Sequence, residues 1–328
     1  MTGKGGADAV LEIENLRTSF VQAGKKLTVI EGVSLTVKPG ETVGLVGESG
    51  CGKSVTSLSI MRLLGRNAVI EGSIRFQEKE LLALTEKEME SIRGNQIAMI
   101  FQEPMTALNP LHTIGKQVGE PLRRHFRVSR KEARERAIQL LREVGIPRAE
   151  EVISDYPHQL SGGMRQRAMI AMAMACRPQL LIADEPTTAL DVTIQAQILE
   201  LMKKLRQERG TSILLITHDL GVVAEMCHRV IVMYAGQIVE QGDVGELFAE
   251  PKHPYTQGLL RSIPSLSGDQ ERLNAIPGTV PMLAEMPEGC RFAPRCPHVM
   301  DICRRQNPDL FFLSERRRCR CWLQKEEG

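Results

Sequence analysis

The chain has 328 residues, of which 42% are hydrophobic and 25% charged, and its formal net charge is +2. This is the composition of an ordinary soluble protein, long enough for one large domain and a smaller one or for two medium domains. The near-zero net charge excludes a strong general attraction to nucleic acid or to membrane surfaces. The longest apolar run, residues 168–176, is too short to cross a bilayer, and the N-terminus lacks an apolar signal core, so we expect a cytosolic chain.

The N-terminal part of the chain has the alternating pattern of β-strands. Apolar and polar residues alternate over residues 10–20 and 27–37, with the turn sequence Ala23-Gly24-Lys25-Lys26 between them. This pattern predicts an antiparallel hairpin. After a turn at Pro39-Gly40, the apolar residues 42–46 predict the strand that leads into the next motif.

A glycine-rich loop follows this strand and precedes a helix-like run at residues 55–64. Its sequence, Gly47-Glu48-Ser49-Gly50-Cys51-Gly52-Lys53-Ser54, fits the phosphate-binding pattern GxxxxGK[ST] at every fixed position. Glycines let the backbone wrap around an anion, so that successive N–H groups and the positive end of the helix can bind phosphate. Lys53 would add a charge for the terminal phosphates, and Ser54 would bind Mg²⁺. The predicted ligand is a nucleoside triphosphate; a glycine-rich turn with a surface lysine is the plainer alternative.

The next stretch is predicted to contain a strand and several helices. Residues 70–76 read as a strand. Two capping boxes, Thr85 with Glu88 and Ser129 with Glu132, predict the start of a short helix at residues 85–92 and of a helix within the helical pattern of residues 113–145. Glutamates interspersed among the basic residues of the second pattern favour a solvated helical face over a nucleic-acid patch.

Three apolar runs of strand length each end in polar side chains. They occupy residues 97–101, 180–183 and 212–217 and are followed by Gln102, by Asp184 and Glu185, and by His218 and Asp219. Buried parallel strands in α/β proteins release catalytic groups at their C-terminal ends, so an active-site role is favoured over incidental exposure. Asp184 would hold Mg²⁺, through water, opposite Ser54, and Glu185 would orient or deprotonate an attacking water.

A second glycine motif precedes a helix of small and flexible apolar residues, 164–176. In Leu160-Ser161-Gly162-Gly163, Ser161 can cap this helix and the two glycines let its N-terminus approach a ligand closely. The motif alone is a weak signal, but it directly precedes the strand that ends in Asp184. Leu190-Asp191 and a predicted helix at residues 193–209 follow that strand.

These motifs together resemble those of the nucleotide-binding subunits of ABC transporters. The resemblance identifies, in the family's order, Walker A at residues 47–54, the Q-loop at Gln102, the signature at 160–163, Walker B at 181–185, the D-loop at 189–191 and the switch histidine at His218. Phe20 stands where the family places the aromatic residue that stacks on adenine. After Gly163 the family most often has glutamine, and this chain has Met164, so a polar contact is absent there or is supplied by Gln166.

The resemblance implies a role for each motif residue. Catalytic roles fall to Lys53, Gln102, Glu185 and His218, and Mg²⁺ ligation to Ser54, Gln102 and Asp184. ATP contacts are implied for these residues and for Phe20, Gly47, Ser49, Gly50, Cys51, Gly52, Ser161, Gly162, Gly163 and Asp191. Because each motif occurs once, and the family binds ATP between the phosphate loop of one subunit and the signature of another, a second ATPase subunit is implied.

Five of the eight cysteines crowd the C-terminal end of the chain: Cys290, Cys296, Cys303, Cys319 and Cys321. In a reducing compartment such a cluster indicates a metal before disulfides. The first three are separated by wider gaps than the two-residue gaps usual in zinc fingers and ferredoxins, so the spacing leaves the metal open. Cys51 within the phosphate loop is expected to be a packing residue and not a redox group.

The C-terminal extension resembles that of the oligopeptide, dipeptide and nickel importer ATPases, most closely the D-type dipeptide subunits. The residues that carry this likeness are His253-Pro254-Tyr255-Thr256, Leu259-Leu260, 101–110 and 183–197. Members of this group carry a [4Fe-4S] cluster on such a tail, which implies Cys290, Cys296, Cys303 and, with Trp322 after it, Cys321 as ligands. A structural zinc site or free thiols are the alternatives. Arg316-Arg317-Arg318 and Arg320 are expected to offset the charge of the thiolates.

The resemblance implies an α/β P-loop NTPase of the ABC type, with a RecA-like core sheet, an antiparallel β subdomain and a helical subdomain at about residues 103–178. The ATPase domain would span residues 8–250 and the cysteine-rich extension residues 251–328. The implied function is ATP hydrolysis that drives di- or oligopeptide import at the cytoplasmic face of the cell membrane, with two permease subunits and an extracytoplasmic binding protein. Import of nickel or another small solute is one alternative; a soluble ATPase that acts on nucleic acid through a zinc-bearing tail is another.

Overall fold

The computed structural model describes residues 9–103, 107–188, 190–262 and 276–325. The chain divides into two compact units. The helical unit comprises residues 37–41, 83–215 and the described part of 1–10, and the P-loop unit comprises residues 11–36, 42–82 and the described part of 216–328. No helix in the described ranges is long and apolar enough to cross a membrane.

The strands and helices of the described ranges are numbered in chain order. The strands are β1 (Leu11–Gln22), β2 (Lys25–Val37), β3 (Thr42–Val46), β4 (Ala68–Phe76), β5 (Lys79–Glu80), β6 (Ile97–Ile100), β7 (Leu180–Asp184), β8 (Ser212–Thr217), β9 (Arg229–Tyr234), β10 (Gln237–Asp243), β11 (Phe311–Phe312) and β12 (Arg318–Cys319). The helices are α1 (Lys53–Met61), α2 (Glu86–Ile92), α3 (Ile114–Phe126), α4 (Arg130–Glu143), α5 (Ala149–Val152), α6 (Gly162–Met174), α7 (Val192–Arg209), α8 (Leu220–Met226), α9 (Val244–Ala249), α10 (Pro254–Arg261) and α11 (Asp301–Arg305).

The P-loop unit contains two sets of hydrogen-bonded neighbouring strands. In the first, the order β2-β1-β4-β5 includes the predicted N-terminal hairpin. Its turn is shorter than predicted, since Lys25 already belongs to β2 and only Ala23 and Gly24 connect the strands, both with positive φ. Two residues with positive φ match the twist of a tight hairpin. In the second set, with the order β11-β12-β10-β9-β3, the fully buried β3 pairs in parallel with β9 and leads into the P-loop.

The helical unit places its strands and helices close to the predicted positions. Strand β6 pairs in parallel with β7, with Ile97 opposite Leu180, and both strands are fully buried. The capping box predicted for α2 is confirmed in both directions. The one predicted for α4 is only half formed, because Ser129 accepts the Glu132 N–H while the Glu132 carboxylate pairs with Arg136.

The C-terminal extension is tied to the rest of the P-loop unit by polar and apolar contacts. Glu240 on β10, which has no exposed surface, accepts hydrogen bonds from the N–H groups of Lys252 and His253 at 2.8 Å each and pairs with Arg317 at 3.2 Å. Tyr255 and Phe292 join Tyr234 of β9 in a buried aromatic cluster. A buried ion pair and a buried aromatic cluster therefore both anchor the extension.

Candidate functional site

The P-loop, residues 47–54 of the P-loop unit, has glycines whose Cα atoms lie very close to neighbouring atoms. A Cβ on Gly47 would lie 2.2 Å from the carbonyl oxygen of Met233, and one on Gly52 would lie 2.4 Å from Cδ1 of Ile30. Gly52 precedes α1 with φ of 104°, a conformation that side chains rarely adopt. The glycines of the pattern are thus required by space as well as by backbone conformation.

Lys53 is buried at the first position of α1, and its ammonium group bonds to the loop itself. Its Nζ donates to the carbonyl oxygens of Gly47 and Glu48 at 2.8 and 3.1 Å. Cys51 Sγ lies 3.9 Å from this nitrogen, is fully buried, and has a pKa raised chiefly by burial, as expected for a packing residue. The loop thus holds the lysine charge next to the backbone that is predicted to receive the phosphates.

The other predicted loop contacts differ in exposure. Ser49 and Gly50 lie exposed at the tip of the loop, and Ser54 is half-buried in the first turn of α1. Phe20 is half-buried near the end of β1, opposite Ala68 of β4. His218 is exposed just after β8, while its neighbour Asp219 caps α8 by accepting the N–H groups of Gly221 and Val222.

In the helical unit, the end of β7 carries the two predicted carboxylates. Asp184 is buried, and Glu185 follows it with φ of 47°, a left-handed conformation that is uncommon outside glycine. One carboxylate oxygen of Glu185 accepts hydrogen bonds from Nε2 of Gln102 at 3.0 Å and from the hydroxyl of Thr188 at 2.8 Å. Strained backbone held by surrounding contacts is characteristic of functional sites. The structure thus brings two of the predicted catalytic residues together.

The signature lies at the start of α6, also in the helical unit. Ser161 caps the helix by accepting the Met164 N–H at 3.3 Å. A Cβ on Gly163 would lie 3.0 Å from Cγ2 of Ile194, whereas one on Gly162 would meet nothing within 4 Å. Asp191, of the predicted D-loop, caps α7 by accepting the Ile194 N–H at 2.9 Å. Ala189 of that loop lies outside the described residues.

Gln166 does not supply the polar contact that Met164 lacks. Its side chain is buried on the inner face of α6 and donates to the carbonyl oxygen of Pro186, the residue after Glu185. Sequence reasoning missed this bond and the one from Thr188. The available signals were a polar residue within an otherwise apolar helix face and a hydroxyl three residues after the predicted catalytic carboxylate.

Four of the predicted metal ligands line one small cavity in the extension: Cys290, Cys296, Cys303 and Cys321. Burial raises the pKa of Cys321 to about 11, and the other three thiols add to this rise. Cys319 instead lies on β12 opposite Glu240, and its pKa is raised by burial and by that carboxylate. Among the described residues, no three His, Cys, Asp or Glu side chains are arranged to hold a metal ion.

The arginine run serves the thiols only in part. Arg317 is buried and pairs with Glu240 and Glu246 at 3.2 Å each, and Arg318 stacks over the ring of Phe312. Arg316 lies 3.8 Å from Asp243. Arg320 interacts electrostatically with the thiol of Cys290, and Arg317 interacts with that of Cys319. Arg316 and Arg317 hold the extension to β10 and α9, because carboxylates on these elements face them.

Comparisons with known proteins place this geometry in context. The family model described as ABC transporter matches residues 30–188, and the one described as oligopeptide/dipeptide transporter, C-terminal region, matches residues 239–303. Two similar relatives, both from Bacillus subtilis (strain 168), are an oligopeptide transport ATP-binding protein, AppD, and a dipeptide transport ATP-binding protein, DppD. The first is 56% identical over 97% of this chain and 98% of its own, and the second 52% identical over 98% and 96%.

Solved structures resemble the chain over the cassette. The dimeric post-hydrolysis structure of the ATP-binding cassette MJ0796, bound to ADP and Pi, is 31% identical, covers 71% of this chain and 98% of its own, and has a TM-score of 0.65. The structure of cbiO1 from Clostridium perfringens is 28% identical, covers 74% and 92%, and has a TM-score of 0.63. The P-loop and the carboxylates at the end of β7 agree with the similarity to ATP-binding relatives, which extends over nearly the whole chain. The chain therefore belongs to the ABC transporter ATPases, in the group with the oligopeptide/dipeptide transporter C-terminal region.

Proposed function

We propose that this chain is the ATP-hydrolysing subunit of an importer of di- or oligopeptides, located peripherally at the cytoplasmic face of the cell membrane. One observation carries this proposal: the likeness to an oligopeptide transport ATP-binding protein extends over 97% of this chain, including the extension. Nickel or another small solute is the alternative cargo. The ATPase domain is proposed to end near residue 250, with the extension after it and the helical subdomain at about residues 103–178.

The proposed chemistry gives roles to residues in each unit. In the P-loop unit, Lys53 and the loop amides stabilise the triphosphate, Ser54 binds Mg²⁺, and Phe20 stacks on adenine. In the helical unit, Glu185 orients or deprotonates water, and Gln102 and Asp184 serve the metal. Contacts from Gln102 and Thr188 support this role, because they hold the carboxylate of Glu185 in one orientation beside the end of β7.

The proposed assembly contains a second, paralogous ATPase, two permease subunits and an extracytoplasmic peptide-binding protein. A single copy of each motif supports the second ATPase, since the signature at Ser161–Gly163 would then face the partner's nucleotide. Hydrolysis removes the γ-phosphate that both faces bind, so the two ATPases can separate and drive the permease.

We further propose that Cys290, Cys296, Cys303 and Cys321 hold a [4Fe-4S] cluster. The four thiols fit such a group because they line one cavity with apolar neighbours. Backbone N–H groups lie within hydrogen-bonding distance of three of them, at Phe292 for Cys290, at His298 for Cys296 and at Leu323 for Cys321. Such bonds stabilise cluster sulfurs. The cluster would fix the fold of the extension. Zinc bound by the same thiols is the alternative.

Affinity purification of the tagged chain from membranes tests the transport proposal. We expect two permease subunits and a second ATPase to co-purify, and the reconstituted complex to hydrolyse ATP faster when a peptide-loaded binding protein is added. Faster hydrolysis with a nickel-loaded protein alone would change the cargo. Purification with salt-sensitive nucleic acid and without membrane subunits would overturn the proposal.

Anaerobic purification with elemental analysis tests the cluster. We expect about four iron and four sulfide ions per chain. They should be lost in the Cys321→Ser variant and retained in the matched Cys319→Ser variant. A colourless protein with zinc and without iron would overturn the cluster, and loss of iron only in the Cys319 variant would overturn the choice of the fourth ligand.

A further inference from the structure

The C-terminal extension reaches the P-loop through a paired arginine. Arg295, which directly precedes Cys296, donates from Nη1 and Nη2 to the two carboxylate oxygens of Glu48 at 2.6 and 3.0 Å. Its side chain is only 4% exposed. Two parallel charge-assisted bonds in a sheltered position form the strongest and most directional type of ion pair. The second residue of the P-loop is therefore held by the extension, although the two are 247 residues apart in the chain.

Arg295 is itself held in place by neighbouring backbone and side chains. Its Nε donates to the carbonyl oxygen of Pro277 at 2.9 Å, its Nη2 to that of Ile276 at 3.2 Å, and its Nη1 to the hydroxyl of Tyr234 at 3.4 Å. Because these bonds already fix the guanidinium, little further entropy is lost when it pairs with Glu48. Arg295 can thus act as a rigid support for the loop.

Glu48 passes this constraint to the lysine of the site. Its N–H donates to the hydroxyl of Tyr255, also in the extension, at 2.8 Å. Its carbonyl oxygen accepts from the N–H of Cys51 at 3.3 Å and from Nζ of Lys53 at 3.1 Å. One residue therefore connects two side chains of the extension with the group that is expected to bind the terminal phosphates.

The charge of Glu48 also needs compensation. The phosphate-binding pattern leaves this position open, and a carboxylate there adds negative charge to a loop that must receive a triphosphate. We propose that Arg295 is a positioning residue for ATP binding. Its two hydrogen bonds to the carboxylate of Glu48 fix the first turn of the P-loop and neutralise this carboxylate. This inference rests on the ATP binding that family membership implies and not on the identity of the cargo.

Binding of MgATP to the full-length chain, measured with a fluorescent ATP analogue, tests the proposal. Arg295→Gln should weaken binding about tenfold. Arg295→Lys keeps the charge but cannot form two parallel hydrogen bonds, and it should weaken binding about threefold. In the Glu48→Gln and Arg295→Gln double variant the uncompensated charge is gone, so binding should recover part of the loss. In the assembled ATPase the KM for ATP should rise while kcat changes little.

Arg317→Gln is the matched control, because Arg317 is a buried arginine of the same extension that pairs with Glu240 and Glu246 and not with the loop. It should lower the thermal stability and leave the Kd within about twofold of the wild type. An unchanged Kd in Arg295→Gln would overturn the proposal, as would an equal loss in Arg317→Gln or no recovery in the double variant. If Arg295→Gln does not fold, an unchanged Kd in Arg295→Lys has the same consequence.

Discussion

The P-loop in one unit and the end of β7 in the other are held by different kinds of contact. Glu185 is held by Thr188, three residues later, and by Gln102, at the end of the neighbouring parallel strand. The P-loop has its own tight backbone but is also tied to Tyr255 and Arg295, which lie 207 and 247 residues away. The carboxylate proposed to activate water is therefore held within the cassette, whereas the loop proposed to bind the triphosphate is also held by the extension.

Replacement of Glu185 by Gln is the strongest test of the role proposed for this carboxylate. The amide keeps its size but cannot accept a proton, so ATP turnover should fall about 10³-fold while ATP still binds. Steady-state hydrolysis by the assembled transporter and nucleotide binding by the same preparation measure the two effects. Wild-type turnover in this variant would remove Glu185 from the catalytic role.

Truncation of Phe292 tests how firmly the extension is attached. Its ring contacts Tyr234 and Tyr255 at centroid distances of 5.1 and 5.4 Å within the buried cluster. Phe292→Ala should lower the free energy of unfolding by about 3 kcal/mol, measured by urea denaturation. Phe312→Ala is the control, since Phe312 is largely exposed and should cost less than about 1 kcal/mol. Equal losses in the two variants would contradict the attachment through the aromatic cluster.

The two signature glycines should respond differently to a methyl group. At Gly162 the space is open, so Gly162→Ala should stabilise the start of α6 by about 0.5 kcal/mol. At Gly163 the new Cβ would press on Ile194, and Gly163→Ala should lose that gain or become destabilising by about 1 kcal/mol. The unfolding temperatures of the two variants measure this difference. Equal stabilisation by both substitutions would show that the side chain of Ile194 moves aside at little cost.

Changes at α4 should be smallest, because its start depends on local contacts. Ser129→Ala removes the side chain that accepts the Glu132 N–H and should cost about 1 kcal/mol. Arg136→Ala removes an exposed ion pair with Glu132 and should cost no more than about 0.5 kcal/mol. Chemical denaturation measures both, and a larger loss at Arg136 than at Ser129 would contradict this order.

Much of the fold was predictable where the controlling contacts are short in sequence. The capping box at Thr85 was correct, and so were the strands that end at Asp184 and Thr217. The capping box predicted at Ser129 was half wrong, because Glu132 had an arginine one helical turn away as a competing partner. The roles of Arg316 and Arg317 were mispredicted for a different reason, since carboxylates distant in sequence face them.

The sequence by itself determined the P-loop, the signature and the strand-end carboxylates, since each depends on residue types at fixed local spacing. Tertiary structure alone decided that Gln166 turns inward to Pro186 and that Arg295 meets Glu48. These contacts join residues that lie from about 20 to nearly 250 positions apart. Local spacing does not reveal which of such distant residues will come within hydrogen-bond distance when the chain folds.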